Sequence, residues 1–263
     1  LTEAELTTNV TLIGGAGTAI NEDAFADNSI SVGAVTDANA EATLLASGSL
    51  IADGGITSIT LTALELDTFI DANGAAPLAA GAVTLGAVTT NVADVLANLS
   101  KVADGGITAI TLSEAQAASS LGSSAFAADS VTIGAVTATS LDAVLAHGDQ
   151  IANNGIDTIT LTDTQFATFI GTYTADPLTA DKVTLGAVTG NEGAVIANVA
   201  KIAANGITSI TLSDAQAATA GFLADAAVAA GAVTIGSVDA SKALVLGNAA
   251  KIAADGITSI TLT

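Results

Sequence analysis

Hydrophobic and polar positions alternate in short bursts along this chain. Across residues 58–62, Ile59 and Leu61 point one way while Ser58, Thr60 and Thr62 point the other, the period-two signature of a short strand with one polar face. Val83 and Leu85 alternate with Thr84 and Gly86 in a second kind of strand. Three-to-four spacing follows: Val92, Val95, Leu96, Leu99 and Val102 make an apolar stripe, which predicts a helix laid against the sheet.

The starts of the helices carry repeated marks. Thr62 with Glu65, Ser113 with Gln116, Thr162 with Gln165, Ser213 with Gln216, and Thr2 with Glu5 each have capping-box spacing, in which the hydroxyl takes the N3 amide and the N3 side chain returns to the cap. After strands of the second kind the predicted caps are Thr36, Thr89, Thr137, Thr189 and Asp239. Lys101, Lys201 and Lys251 fall in the predicted last turn, where a cation suits the helix dipole. Gly55, Gly106 and Gly206 follow, placed for a left-handed or tight turn before the next strand.

These units repeat. Near copies start at Gly55, Gly106, Gly155, Gly206 and Gly256, separated by 51, 49, 51 and 50 residues, with a second block between them at 30–36, 83–89, 131–137, 183–189 and 233–239. The coil is therefore about 25 residues long, in two alternating kinds. A longer echo returns Phe69-Ile70 and Pro77-Leu78 as Phe169-Ile170 and Pro177-Leu178. The predicted fold is an α/β solenoid of strand–helix coils, with a parallel sheet, right-handed crossovers and helices on one side. Strands stack at about 4.8 Å and helices at about 8–10 Å, so such a coil relieves the mismatch by curving. That solution resembles the leucine-rich-repeat horseshoe, without that family's Asn-bearing consensus. The alternative places helices on both faces. Residues 1–36 are expected to form an atypical N-terminal coil, in which 14–17 interrupt any helix as part of a terminal cap or a loop insertion, and 37–263 regular repeats of about 50 residues in one continuous solenoid.

Composition supports thin repeated layers rather than one thick core. Half of the residues are hydrophobic but only 3% are aromatic, there are 26 Gly, and Cys, Met and Trp are absent. With 26 acidic residues against five lysines, a net charge of -21 argues against nucleic acid and anionic membranes as partners. No stretch reads as a membrane span. Without Cys, disulfides and thiolate metal ligands drop out.

Candidate chemistry is sparse. Thr60 and Thr62, Thr160 and Thr162, and Thr261 and Thr263 place Thr-x-Thr on strands of the first kind, with Ser113 and Ser213 elsewhere. Gly86, Gly134, Gly186 and Gly236 are expected where the intervening strands would continue that column. Asp27, Asp129 and Asp181 recur before strands of the second kind, and Asp53, Asp104 and Asp255 at turns before the first kind; their oxygens make calcium the candidate ion. The single histidine, His147, lies near a helix end and has neither Cys nor a second His to form a zinc set. Asn9 and Asn98 open glycosylation sequons. There is no P-loop, dinucleotide fingerprint or nucleophile elbow, so an enzyme is not expected.

The repeats, best seen in residues 51–62 (Ile-Ala-Asp-Gly-Gly-Ile-Thr-Ser-Ile-Thr-Leu-Thr), resemble the Ala/Gly/Thr/Asp-rich tandem repeats of bacterial secreted, fibre, surface-layer or adhesin proteins. The resemblance implies an extracellular or cell-surface location, calcium dependence and no catalytic residues. The functional expectation is a self-assembling structural protein that forms a fibre or layer, with an adhesion or binding module as the alternative. Ile257, Ile260, Leu262 and Thr263 form the expected assembly edge: Thr263 is a cap awaiting a helix, to be covered by further sequence or by another subunit in end-to-end self-association.

Overall fold

A computed structural model describes Thr2, Ala4, Glu5 and residues 25–262; the predicted interruption at 14–17, the sequon at Asn9 and the cap at Thr263 lie outside the described residues. By its internal contacts the chain divides into two compact units, Leu1–Leu112 with Ser119–Val131, and Ser113–Ala118 with Thr132–Thr263. Each consists of repeated strand–helix units carrying small parallel sheets.

In the first unit, β1 (Gly33–Val35), β2 (Ile56–Thr60) and β3 (Val83–Thr84) form one parallel sheet in chain order, and β4 (Gly86–Val88) pairs with β5 (Ile107–Thr111). The intervening helices are α1 (Ala38–Ala46), α2 (Ala63–Asn73) and α3 (Val92–Ala97), with α1 against α2 and α2 against α3. Helix α4 (Glu114–Ser120) and β6 (Val131–Thr132) fall at the boundary between the units. In the second unit, β7 (Gly134–Val136), β8 (Ile156–Thr160) and β9 (Val183–Thr184) make one sheet, and β10 (Gly186–Val188), β11 (Ile207–Thr211) and β12 (Val233–Thr234) another; β13 (Gly236–Val238) pairs with β14 (Ile257–Ile260). Its helices are α5 (Leu141–Ala146), α6 (Asp163–Thr172), α7 (Glu192–Ala197), α8 (Asp214–Ala217) and α9 (Lys242–Gly247).

The alternation read from the sequence is present. Ile59 and Leu61 are buried while Ser58, Thr60 and Thr62 are exposed, and the pattern recurs in β5, β8 and β11. The sheet is not one continuous surface, however. The second kind of strand breaks at its glycine: Leu85 N and Gly86 N both donate to Gly106 O, a β-bulge that shifts the register between Gly86 and Ala87. Residues before the bulge pair backward, as β3 does with β2, and those after it pair forward, as β4 does with β5. Gly33, Gly86, Gly134, Gly186 and Gly236 all hold φ between 70° and 85° at this bend, where a Cβ is disfavoured. Consequently Thr84, not Gly86, stands opposite Thr60, and Thr184 opposite Thr160; the glycines pair with Ile107 and Ile207 instead.

Capping also needs one correction. The boxes at Thr62, Thr162 and Ser213 close as expected, and Ser113–Gln116 and Thr2–Glu5 make the same reciprocal bonds. After strands of the second kind, the caps are not Thr36, Thr89, Thr137, Thr189 and Asp239 but Asp37, Asn91, Ser140, Asn191 and Ser241, one to three residues on. These helices are also shorter than the stripe suggested. α3 stops at Ala97, a 3-10 turn takes Leu99–Lys101, and Val102 is already a β-bridge to Val83. Lys101, Lys201 and Lys251 therefore sit in 3-10 turns, not in the last turn of a helix.

The four-residue turn between bridge and strand recurs in every described coil. Left-handed φ falls on its third residue: Gly54, Gly81, Gly105 and Asp129, then Asn154, Asp181, Asn205, Gly231 and Asp255. Only Gly, Asn and Asp occur there, the residues that tolerate this region. Gly55, Gly106 and Gly206, predicted for that role, follow it. They are glycine because of close approach: a Cβ on Gly106 would lie 2.8 Å from Ala103 O and 2.9 Å from Val102 Cγ1. The two columns make different demands. Gly106→Ala should lower stability by about 1–3 kcal/mol through overpacking. Gly105→Asn should be nearly neutral, and Gly105→Ala should cost about 1–2 kcal/mol for its left-handed backbone. Urea unfolding of the three variants checks the order.

Candidate functional site

The turn column is also the main joint between coils. The first amide of each turn donates to the strand of the coil before it: Ala52 N to Ile30 O at 2.7 Å, Ala103 N to Val83 O at 2.8 Å, Ala203 N to Val183 O at 2.9 Å. The left-handed residue donates to the coil after it: Gly54 N to Ala76 O at 2.7 Å, Asn154 N to Asp176 O at 2.7 Å, Asn205 N to Ala226 O at 2.8 Å. The calcium candidates all belong to these turns. Asp129, Asp181 and Asp255 hold the left-handed position, Asp53 and Asp104 precede it, and Asp27 precedes the left-handed Asn28. Asp129, Asp181 and Asp255 have a local reason to be Asp in their left-handed backbone. Among the described residues no three His, Cys, Asp or Glu side chains come together as a metal-holding group.

Lysines form a second joint. Nζ of Lys101 donates to Leu78 O at 2.7 Å and that of Lys201 to Leu178 O at 3.0 Å, while Lys251 reaches Val228 O and, at 3.1 Å, Asp225 O. Lys201 also pairs with Asp176. The cation thus serves the carbonyls of the preceding coil, about 23 residues back.

A third joint was not read from the sequence. The first residue of three first-kind helices is acidic, and its carboxylate holds the loop that leads into the next helix. Asp163, only 4% exposed, accepts Thr189 N at 2.8 Å and Gly190 N at 2.9 Å. Asp214 accepts Ala240 N at 2.6 Å, the Asp239 and Ser241 amides at 3.2 Å, and the Ser241 hydroxyl. Glu114 takes the Ser140 hydroxyl at 2.7 Å together with the Thr137 amide and hydroxyl. The contacts fix the approach to helices whose cap residues Ser140, Asn191 and Ser241 make no side-chain cap bond of their own. Ala63 stands at the matching place in the first unit; there Asn91 turns left-handed at φ 52° and donates its side-chain amide to Asp67 at 2.6 Å. The visible signal was the acid directly after the cap at 114, 163 and 214.

The bonds shift the acids downward. The Ser241 hydroxyl, then the Ala240 amide, hold Asp214 at about 2. The Ser140 and Thr137 side chains lower Glu114. Burial pushes Asp163 up, but the Thr189 and Gly190 amides outweigh it and hold it below the usual range.

The expected edge is open in the described structure. Leu262 is 72% exposed, whereas Leu61, Leu112, Leu161 and Leu212 at the same place in earlier coils are 1–2% exposed. Ile257 and Ile260 are half-buried where Ile156 and Ile159 are buried. Leu246 on α9, 58% exposed, belongs to the same face and was missed; its counterparts Leu145 and Ile196 are half-buried under the following helix. Among the described residues β14 pairs with β13 alone.

His147 is the C-cap of α5, as its position suggested. Asn98 of the second sequon donates its side-chain amide to Asp94 O at 2.8 Å, as Asn198 and Asn248 do to Ala194 and Leu244. A cavity of about 170 Å³ beside Phe169, Tyr173, Asp176 and Lys201 is smaller than the roughly 300 Å³ of ordinary small-molecule sites. No helix among the described residues is long and apolar enough to cross a membrane. No family model, no curated protein and no solved structure matches the chain.

These carboxylate bonds have a pH signature. An acid lowered by folding contributes stability that is complete above its ordinary value and lost as pH falls through the folded one. For Asp214 the window runs from about 4 down to about 2. Asp214→Asn should therefore lose less stability than wild type across that window, measured as the difference in urea midpoints. At pH 7, Asp163→Ala should cost about 1–3 kcal/mol by removing the acceptor of the Thr189 and Gly190 amides.

Proposed function

We propose that this chain is a structural, self-assembling module of an extracellular or cell-surface fibre or layer, and not an enzyme. The observation that carries the reading is the repeated joint between successive coils within each unit, made of main-chain bonds such as Ala103 N to Val83 O and Ala203 N to Val183 O and of buried apolar side chains. A polymer of coils extends the same contact. The side-by-side packing of α6 with α7 and α7 with α8 supports a solenoid with both kinds of helix on one side of the strands. The net charge of -21 keeps copies apart until salt or cations screen it, which makes assembly conditional.

An adhesion or binding module is the second reading, with calcium as its candidate ion. It is favoured by a polar hollow over Thr158, Thr160, Asp181, Lys182 and Thr184, open along the strand face.

Negative-stain images and light scattering should show filaments or lattices that grow with protein concentration and with added salt. Growth with calcium at constant ionic strength would add the ion to the assembly. Monodisperse monomers at every concentration, with and without salt or calcium, would overturn the structural reading and favour the binding module.

A further inference from the structure

The second unit repeats a frame of the first and lines it with different chemistry. Phe69-Ile70, Pro77-Leu78, Asn98 and Lys101 in the first unit return as Phe169-Ile170, Pro177-Leu178, Asn198 and Lys201 in the second. Among the differences between the copies, two fall on one cavity: Asn73 becomes Tyr173, the only tyrosine of the chain, and Ala76 becomes Asp176. The coil does not require either change. In the first unit the Asn73 side-chain amide donates to Leu45 O at 3.4 Å, the bond that the Tyr173 hydroxyl makes to Leu145 O. Lys101 Nζ is held by Leu78 O at 2.7 Å, as Lys201 Nζ is by Leu178 O at 3.0 Å, with Ala76 standing where Asp176 adds an ion pair. The same joints therefore close without a tyrosine or an acid, and what Tyr173 and Asp176 add is the lining of a cavity of about 170 Å³.

That lining is fixed in advance. Gly148 makes room for the Tyr173 ring, since a Cβ there would lie 2.7 Å from its Cε2, and Phe169 meets the ring edge-on with centroids 4.8 Å apart. The Asp176 amide donates to Asn153 Oδ1 at 2.7 Å, and the Asn198 side-chain amide to Ala194 O at 2.9 Å. Lys201 and Asp176, the two charged groups of the cavity, pair with each other, so the lining carries no net charge. One Lys201 proton, carboxylate lone pairs of Asp176 and the Asn198 side-chain oxygen stay available for a ligand. We infer that this cavity binds a single sugar ring, as a neutral polyol. A charged ligand has to break the Lys201–Asp176 pair. Neighbouring hydroxyls instead engage both members, donating to the carboxylate and accepting from the ammonium. The C–H face of the ring then rests on Tyr173 and Pro177. The volume admits one ring and excludes a drug-sized ligand, and the exposed Thr174 and Asp176 leave an opening through which the ring can be the end of a longer glycan. The inference goes beyond the assembly reading and does not depend on it.

Tyr173 is its own reporter. The chain has one Tyr and no Trp, so tyrosine emission reads this cavity alone. The full chain, in dilute low-salt solution, is titrated with the methyl glycosides of glucose, galactose, mannose and N-acetylglucosamine. At least one of them should change the emission saturably. Asp176→Ala, which places the first unit's residue in the second, should weaken that glycoside by about tenfold or more while leaving the circular dichroism unchanged. Tyr173→Asn, again the first unit's residue, should abolish saturation transfer to the sugar ring protons in NMR. No response to any of the four glycosides, or equal affinity in wild type and Asp176→Ala, would overturn the site. Sodium acetate or ammonium chloride changing the emission at lower concentration than every glycoside would overturn the neutral polyol as its ligand. Filament growth, followed separately by light scattering, decides the assembly reading whichever way these titrations fall.

Discussion

Each coil is held to its neighbours by a four-residue turn whose third residue must be left-handed, and most of the molecule is arranged around that requirement. The turn aims one amide backward, as Ala103 N to Val83 O, and one forward, as Gly105 N to Ser124 O. With the forward amide turned away, that main-chain bond between coils would be lost, at a cost of about 0.5–1.5 kcal/mol for each joint. That is why Asp and Asn are scattered along these turns without gathering into a ligand set. Their side chains are tolerated in the left-handed region, and the backbone beneath them is what the coil uses.

The elements best read from the sequence were those whose signal is local. Thr62 with Glu65 and Ser213 with Gln216 close within three residues, so spacing alone identified them. The alternation of Ile59 and Leu61 with Ser58 and Thr60 likewise needed only neighbours. What escaped were features decided by the next coil. The loops before Ser140, Asn191 and Ser241 are held by Glu114, Asp163 and Asp214, which lie roughly 25 residues away. Leu246 looks like any interior position until the coil that should cover it is sought in three dimensions. The bulge at Gly86 reads in sequence as one uniform strand, yet it hands the pairing from one neighbour to the other.

Charge follows the same logic. With five lysines against 26 acids, a cation is scarce, and three of the five donate to carbonyls of the preceding coil, Lys201 pairing with Asp176 as well. A carbonyl stack concentrates negative potential at the coil margin, and an ammonium with three donors answers it in a way a carboxylate pair could not. Conversely, the acids that are engaged point at amides. Asp163 tolerates near-complete burial because it accepts hydrogen bonds from main-chain donors rather than facing a counter-ion. Both signs of charge therefore act on the backbone, and the surplus of acids remains to repel other molecules.

That repulsion bears on how an open strand edge can be kept safe. An apolar edge is an invitation to pair with any extended chain, and the four-residue strand β14 with Ile257 and Ile260 is no exception. Here the edge is selective because the pairing is interrupted. A partner must bridge at one residue, exclude a four-residue turn, then pair again over two residues, and do this with a left-handed residue at the third place of the turn. A plain extended strand fails the second condition, and a chain without Gly, Asn or Asp at the right place fails the third. Within each unit the strands that pair are unlike, one of the first kind and one of the second. A contact between unlike faces propagates along a stack instead of closing on a pair.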